Sequence, residues 1–218
     1  MTKKKKRDDF VWEQYTQEYY EEEMCDLING SRDTHKHDML ASDFTEKEGE
    51  LVFNDDLHEN WKEIYHQVHK LRVKSVFECG CGPAQHLINI HKTSPSVVVN
   101  GCDYSQSQID LGYKYYKLDD YDFSGRLAVK DLTDSSDLDQ LGTHEFVYTQ
   151  AVIMHLSYKR AIKFLLNIKS LSTRYIFLIE NPTCHDYDKL LTKALPEFER
   201  VDGENKYCPR AILLKRAA

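Results

Sequence analysis

The chain has 218 residues, 41% hydrophobic and 30% charged, with a formal net charge of −7. That length suits one well-cored domain, and the acidic balance argues against a general nucleic-acid binder, which shows a basic face. No apolar run approaches the roughly 20 residues of a membrane span, so no membrane partner is expected.

The basic start, Met1 to Arg7, runs into acidic "DDF" instead of an apolar stretch. It therefore does not read as a secretory signal; a solvated tail or a phosphate- or membrane-surface patch are the alternatives. Six cysteines are scattered through the chain. They read as reduced thiols of a cytoplasmic protein. Cys79 and Cys81 have no second Cys/His pair at zinc spacing, so no metal site is expected.

Residues 1–70 read as an N-terminal tail and helical cap segment, and 71–218 as the main body of one domain. "FVWEQYTQEYYEEEM" predicts a helix with Val11, Tyr15, Glu18 and Tyr19 near one face. "SRDTHKHDMLASDFTEKEGE" is polar and reads as loop, and its His35-Lys36-His37 is either solvated or part of an entrance. "NDDLHENWKEIYHQVHKL" predicts a second helix capped by Asn54, with an apolar stripe of Leu57, Trp61, Ile64, Tyr65 and Val68.

From Lys74 onward, strand-like runs alternate with helix-like ones. The strands are "SVFECG", "SVVVNGCD", "RLAVKDL", "EFVYTQAVI" and "RYIFLIENP". Between them lie "AQHLINIHK", "SQSQIDLGYKYYKL", a short "SSDLDQL" and "SYKRAIKFLLNIKSL". Such alternation predicts an α/β fold, with a mostly parallel sheet covered on both faces. A last helix, "HDYDKLLTKAL", precedes a strand pair, "FERVDGE" and "RAILLKR", turned by Gly203 and Asn205.

The first strand of this series ends in Glu78-Cys79-Gly80-Cys81-Gly82-Pro83. A strand, a glycine turn and a helix start form the usual setting for a nucleotide-like ligand. A dinucleotide site wants a third glycine where Gln85 stands, and Pro83 offers no N–H to a diphosphate. Pro83 suits the first turn of a helix instead. No Gly-Lys-Ser/Thr follows, which excludes a P-loop. A carboxylate at Glu78 beside flexible glycines suits a positively charged, zwitterionic ligand better than a phosphate. A turn with no ligand at all stays open on this motif alone.

The arrangement resembles the first motif of class I S-adenosylmethionine-dependent methyltransferases, an acidic residue followed by x-Gly-x-Gly. The resemblance covers roughly Lys74 to Pro182. It implies a doubly wound, mostly parallel seven-stranded sheet with an antiparallel C-terminal hairpin strand and an N-terminal helical cap. It implies S-adenosylmethionine as cofactor, held by Glu78, Gly80, Cys81 and Gly82. At the next strand end it places Asp103 on the ribose hydroxyls and Tyr104 on the adenine face; an N-cap role is the alternative for Asp103, with Ser105 as the other cap candidate. It places Asp131 near the adenine amino group with the Leu132 backbone beside it. Gln150 and Ala151 fall beside the methionine part. Aromatic residues of the first helix, Tyr15 and Tyr19 among them, would contact the sulfonium or the methionine carboxylate, or pack in the core.

For methyl transfer to a hydroxyl, His155 is the first candidate general base, because imidazole titrates near neutral pH. Packing or capping is the alternative. Glu180 and Asn181 would bind an acceptor hydroxyl or orient His155, or simply form a turn. His185 and Asp186 read as a surface histidine and a helix cap, with a metal pair the weaker alternative. The activity expected is transfer to a small polar metabolite, at oxygen, with sugar or nucleotide-sugar hydroxyls preferred. The alternatives are N-methylation of a small amine or protein side chain, and a non-catalytic cofactor-binding partner.

Overall fold

The structure is a computed structural model, which describes residues 12–16, 43–54, 57–121, 123, 125–201, 203 and 205–217. The chain runs through α1 (Trp12–Tyr15), β1 (Phe44–Lys47), β2 (Glu50–Phe53), α2 (Glu59–Lys70), β3 (Ser75–Cys79) and α3 (Gln85–Thr93). It continues through β4 (Val98–Asp103), α4 (Gln106–Tyr116), β5 (Leu127–Val129), β6 (His144–Gln150) and α5 (Tyr158–Leu171). Last come β7 (Ser172–Ile179), α6 (Tyr187–Ala194), β8 (Phe198–Arg200) and β9 (Ile212–Arg216).

The main sheet has seven strands in the order β5-β4-β3-β6-β7-β9-β8. Strands β3 to β7 pair in parallel, while β9 runs antiparallel to both β7 and β8. The chain lays β4 and β5 outward on one side of β3, then returns to place β6 on the other side. Strand order therefore reverses between β3 and β6, and an open α/β sheet leaves a crevice at the carboxyl ends of its strands at such a point.

Successive strand residues face opposite sides of the sheet. Val76, Phe146, Tyr148 and Phe177 join one buried cluster with Leu51, Ile64, Tyr65 and Leu87. Phe77, Val147 and Ile176 join another with Leu165, Ile168 and Leu190. The stripe works as its spacing predicts: Leu57, just before α2, and Trp61, Ile64, Tyr65 and Val68 on it are all buried in one cluster with residues of the sheet. Each such side chain contributes roughly 1.5–3 kcal/mol.

Four local expectations are corrected. The polar stretch before α2 ends in a hairpin, with β1 and β2 antiparallel across a Glu48–Gly49 turn in which both residues have positive φ. Leu51 and Phe53 then face the core, which anchors the hairpin on α2. The cap of α2 is His58, whose Nδ1 accepts from the Asn60 amide at 3.1 Å, while the Asn54 amide closes the hairpin base on the Asp43 carbonyl. Pro83 precedes the cap of α3 instead of entering its first turn, because Ala84 holds the cap position in a left-handed conformation, φ +60°. "SSDLDQL" folds only as a short 3₁₀ turn, Leu138–Leu141. Of the helix expected over 10–24, α1 and Thr16 fall within the described residues. Tyr19, Tyr20 and the His35–His37 stretch lie outside them.

Candidate functional site

The cleft opens where β3, β4 and β6 end. Gly80 (φ +78°) and Gly82 (φ +50°) take conformations that side chains resist, so the chain turns sharply after Cys79. The Gly80 and Cys81 amides both donate to the Cys102 carbonyl, at 2.8 and 2.9 Å, which pins the loop to β4. A Cβ on Gly80 would fall 2.4 Å from Val152 Cγ2, so the glycine floor and the loop after β6 approach each other closely. Gly112 makes a similar approach possible from α4: a Cβ there would fall 2.5 Å from the Pro83 carbonyl oxygen.

Asp103 ties this loop to the next one. Its Oδ2 accepts from the Gly82 amide at 2.8 Å, and its Oδ1 from the Ser105 amide at 2.9 Å. Ser105, not Asp103, caps α4, accepting from the Gln108 amide. Gln108 in turn donates to Thr16 Oγ at 2.7 Å, which seats α1 beside α4.

These turns enclose a cleft of about 260 Å³. It is lined by Glu78, Gly80, Cys81, Gly82, Asp103, Tyr104, Gln150, Ala151 and His155, so nine of the residues picked from the sequence come together. Tyr104 is 45% exposed at its wall. Glu78 is 2% exposed, and its Oε2 is buried with no hydrogen-bond partner. Burial pushes its carboxyl well above the usual carboxylate range; the nearby Tyr148 hydroxyl opposes the rise, although its geometry falls short of a hydrogen bond to Oε2, and Asp103 adds to the rise. Gln150 Oε1 is likewise buried without a partner. Burial also holds the Cys79, Cys81 and Cys102 thiols high, which makes them poor nucleophiles.

The loop after β6 starts at Ala151, which sits at φ +56°, and runs into a 3₁₀ turn, Ile153–His155. Two side chains from beyond β7 clamp that turn. Glu180 Oε1 accepts from the Val152 and Ile153 amides at 3.0 and 3.1 Å, and Oε2 from the Met154 amide at 3.1 Å. His185 Nε2 donates to the Ile153 and Leu156 carbonyls at 3.0 and 3.1 Å. Burial raises the Glu180 carboxyl to about 7, against the three amide bonds, which favour its charge. Glu180 thus spends both oxygens on backbone amides. It borders a second cavity, of about 300 Å³ and shared with His185, instead of the cleft. Its hydrogen bonds hold the turn that leads into His155.

Three other expected residues stand outside the cleft lining among the described residues. Asp131 pairs with Arg160 at 3.1 Å and accepts from the Thr133 amide. Leu132 packs in the core, and its carbonyl accepts from Asn167. Tyr15 lies on α1, half-buried. Asp186 caps α6 as the alternative had it. Trp61, Pro83, Gln85, His86, Gln108 and Val152 also line it, and none of them was read from the sequence as a ligand contact. Only the helical stripe containing Trp61 gave a signal there. Among the described residues, no three His, Cys, Asp or Glu groups could hold a metal ion, and no helix is long and apolar enough to cross a membrane.

No family model matches this chain, and no curated protein matches it either. Solved structures do. Magnesium protoporphyrin IX methyltransferase from Synechocystis PCC 6803, with bound S-adenosylmethionine, superposes with a TM-score of 0.56 at 15% identity, over 73% of this chain and 79% of that one. The methyltransferase domain of a bacterial Hen1 protein gives 0.57 at 13% identity, over 73% and 98%. The S-adenosylmethionine-dependent methyltransferase SibL, in its apo form, gives 0.55 at 13% identity, over 72% and 54%.

Proposed function

We propose, on the premise that this chain has the class I S-adenosylmethionine-dependent methyltransferase fold, that it binds S-adenosylmethionine and methylates a small polar acceptor at oxygen. Sugar or nucleotide-sugar hydroxyls are the favoured acceptors. The observation that carries the reading is Glu78 Oε2, a buried carboxylate oxygen with no partner at the head of the glycine turn. A buried polar atom left unpaired costs about 1–3 kcal/mol. A zwitterion's ammonium group would pair with that oxygen and favour its charged form, against the burial that favours the neutral acid.

The residues present fit the cofactor. Glu78 meets the ammonium, Gln150 offers a second unpaired acceptor, and Gly80 keeps the floor clear of a Cβ. Asp103 sits where it can accept from ribose hydroxyls while still holding the two loops, since a carboxylate has about four lone-pair sites. Tyr104 offers a ring face to the adenine. When bound, S-adenosylmethionine supplies an electrophilic methyl group on a sulfonium. The chain's part is to align an acceptor oxygen near it and exclude water, worth on the order of 7–11 kcal/mol. Neutral His155 takes the hydroxyl proton as the oxygen becomes a nucleophile, worth about 10²–10⁴-fold. Glu180 and His185 hold the turn that carries His155.

The test is incubation with methyl-labelled S-adenosylmethionine and a metabolite extract, followed by identification of what gains label. A labelled small hydroxyl compound is the expected result. Label on no compound, or on amines alone, contradicts the reading.

A further inference from the structure

The second cavity, of about 300 Å³, opens at the same edge of the sheet as the cleft, where β7 ends and the antiparallel β9 begins. That volume reaches the low end of small-molecule sites, roughly 300–1,000 Å³. Leu178, Tyr187 and Ile212 are buried and give the cavity an apolar floor. Its charged lining comprises Glu180, Asp186, Asp188, Arg200 and Arg210, with His185 beside them.

The acids have other commitments. Glu180 spends both oxygens on the amides of the turn after β6. Asp186 Oδ1 accepts from the Lys189 amide at 3.1 Å, at a helix N-terminus whose dipole offsets its charge. Asp188 pairs with Arg200 Nη1 at 3.4 Å, but its side chain is 85% exposed, so water and salt screen that pair. Arg210 differs. Among the described residues, the hydrogen-bond partner of its guanidinium is Asn60 Oδ1 at 2.9 Å, a neutral acceptor. Asn60 Oδ1 also accepts from Cys208 Sγ at 3.3 Å, so α2 steadies both the guanidinium and the loop before β9. A guanidinium carries five N–H donors in a fork that fits two oxygens of a phosphate or carboxylate. Arg200, at the end of β8, brings a second fork to the same cavity.

We propose that this cavity binds a small organic oxyanion, a phosphate ester or a carboxylate, with its anionic group on Arg210 and Arg200 and its organic part on Leu178, Tyr187 and Ile212. Glu180 and His185 line the cavity and also hold the turn on both sides of His155. The occupant is therefore the anionic end of the acceptor or a separate anion that acts on that turn. Its binding needs no cofactor in the cleft.

Titration of the parent with phenyl phosphate, benzoate and phenol at constant ionic strength, followed by nitrogen-15 amide spectra, tests the site. Phenyl phosphate or benzoate should saturate and shift the amides of residues 183–188 and 210–212. Arg210→Gln and Arg200→Gln should each weaken that binding by at least about tenfold; either variant decides the matter if the other fails to fold. Lys215→Gln, which removes a β9 charge outside the cavity, should stay within about 2-fold of the parent. Saturation by neither anion overturns the proposal. So does phenol binding as tightly as the anions, or a loss in Lys215→Gln equal to that in Arg210→Gln. A methyl-labelled product distinguishes the two sources. Label retained on an anion exchanger, with KM for that acceptor raised about tenfold in Arg210→Gln and S-adenosylhomocysteine affinity kept, assigns the site to the acceptor. Label in a neutral compound assigns it to a separate anion. A parent that binds no S-adenosylhomocysteine overturns the reading of the cleft and leaves the anion titration to decide this site.

Discussion

The Gly82 amide donates to Asp103 Oδ2 at 2.8 Å, so one carboxylate joins the glycine turn after β3 to the end of β4. Its other oxygen holds the Ser105 amide at the start of α4. Asp103 thus serves the fold before any ligand arrives. Asp103→Ala should weaken S-adenosylhomocysteine by roughly 1.5–3 kcal/mol and also lower stability by about 1–3 kcal/mol, as two amides lose their acceptor. Asp103→Asn should keep more of the stability than of the affinity. Calorimetry and urea unfolding measure the two effects separately. Undiminished stability in Asp103→Ala would show that these loops hold without it.

Gly80 and Val152 give a second test. Gly80→Ala adds a methyl group 2.4 Å from Val152 Cγ2, at a residue with φ +78°. The steric part should cost about 1–3 kcal/mol, and the left-handed backbone about 1–2 kcal/mol more. Val152→Ala removes the clashing carbon, so the double variant should recover the steric part alone. Thermal or urea unfolding of the four proteins in the cycle gives the coupling. Strict additivity would mean that the two loops move apart freely.

Glu180 predicts a pH dependence of stability. Its folded pKa, raised to about 7 from the ordinary value of 4.5, means that the folded chain holds this proton more tightly than the unfolded chain. Stability should therefore fall as pH rises from about 4.5 to about 7, by on the order of 3 kcal/mol from this group. Glu180→Gln removes the titration, so its stability should change less across that window than the parent's. Unfolding at pH 5 and pH 8 compares them. Parallel pH profiles would show that Glu180 is charged throughout.

His155 separates oxygen from nitrogen chemistry. With a hydroxyl acceptor, His155→Ala should lower kcat by about 10²–10⁴-fold and leave cofactor affinity nearly unchanged. Parent activity should rise as pH passes through the histidine range, because neutral imidazole takes the proton. With an amine acceptor the loss should be much smaller, and the profile should follow the amine. A pH–rate profile of both proteins makes the distinction.

The strand ends were legible because each candidate residue there lies within a few positions of an apolar run. Glu78, Asp103 and Gln150 are fixed to the carboxyl edge by the strands that precede them, and parallel pairing brings those edges together. A link between Glu180 and the His155 turn was expected, but its three amide contacts and the part of His185 were not legible, because these partners lie 26 to 32 residues away. Tyr65 and His86 are 21 residues apart and meet only when α2 packs against α3. The β1–β2 hairpin was hidden by its charges. Of its strand residues, Leu51 and Phe53 are the buried ones, and a glutamate stands at a positive φ in its turn. Asp131 followed a correct strand end, but Arg160 on α5 holds its carboxylate. A short sequence motif carries no trace of that competing partner.

The central claim is that this cleft holds S-adenosylmethionine, with Glu78 as the counter-charge to its ammonium. Calorimetric titration of the parent and Glu78→Gln with S-adenosylhomocysteine, beside a titration with NAD, tests it most directly. The account predicts saturable one-to-one binding of S-adenosylhomocysteine to the parent, at least roughly tenfold weaker binding in Glu78→Gln, and no response to NAD. Binding of NAD with no response to S-adenosylhomocysteine would contradict it.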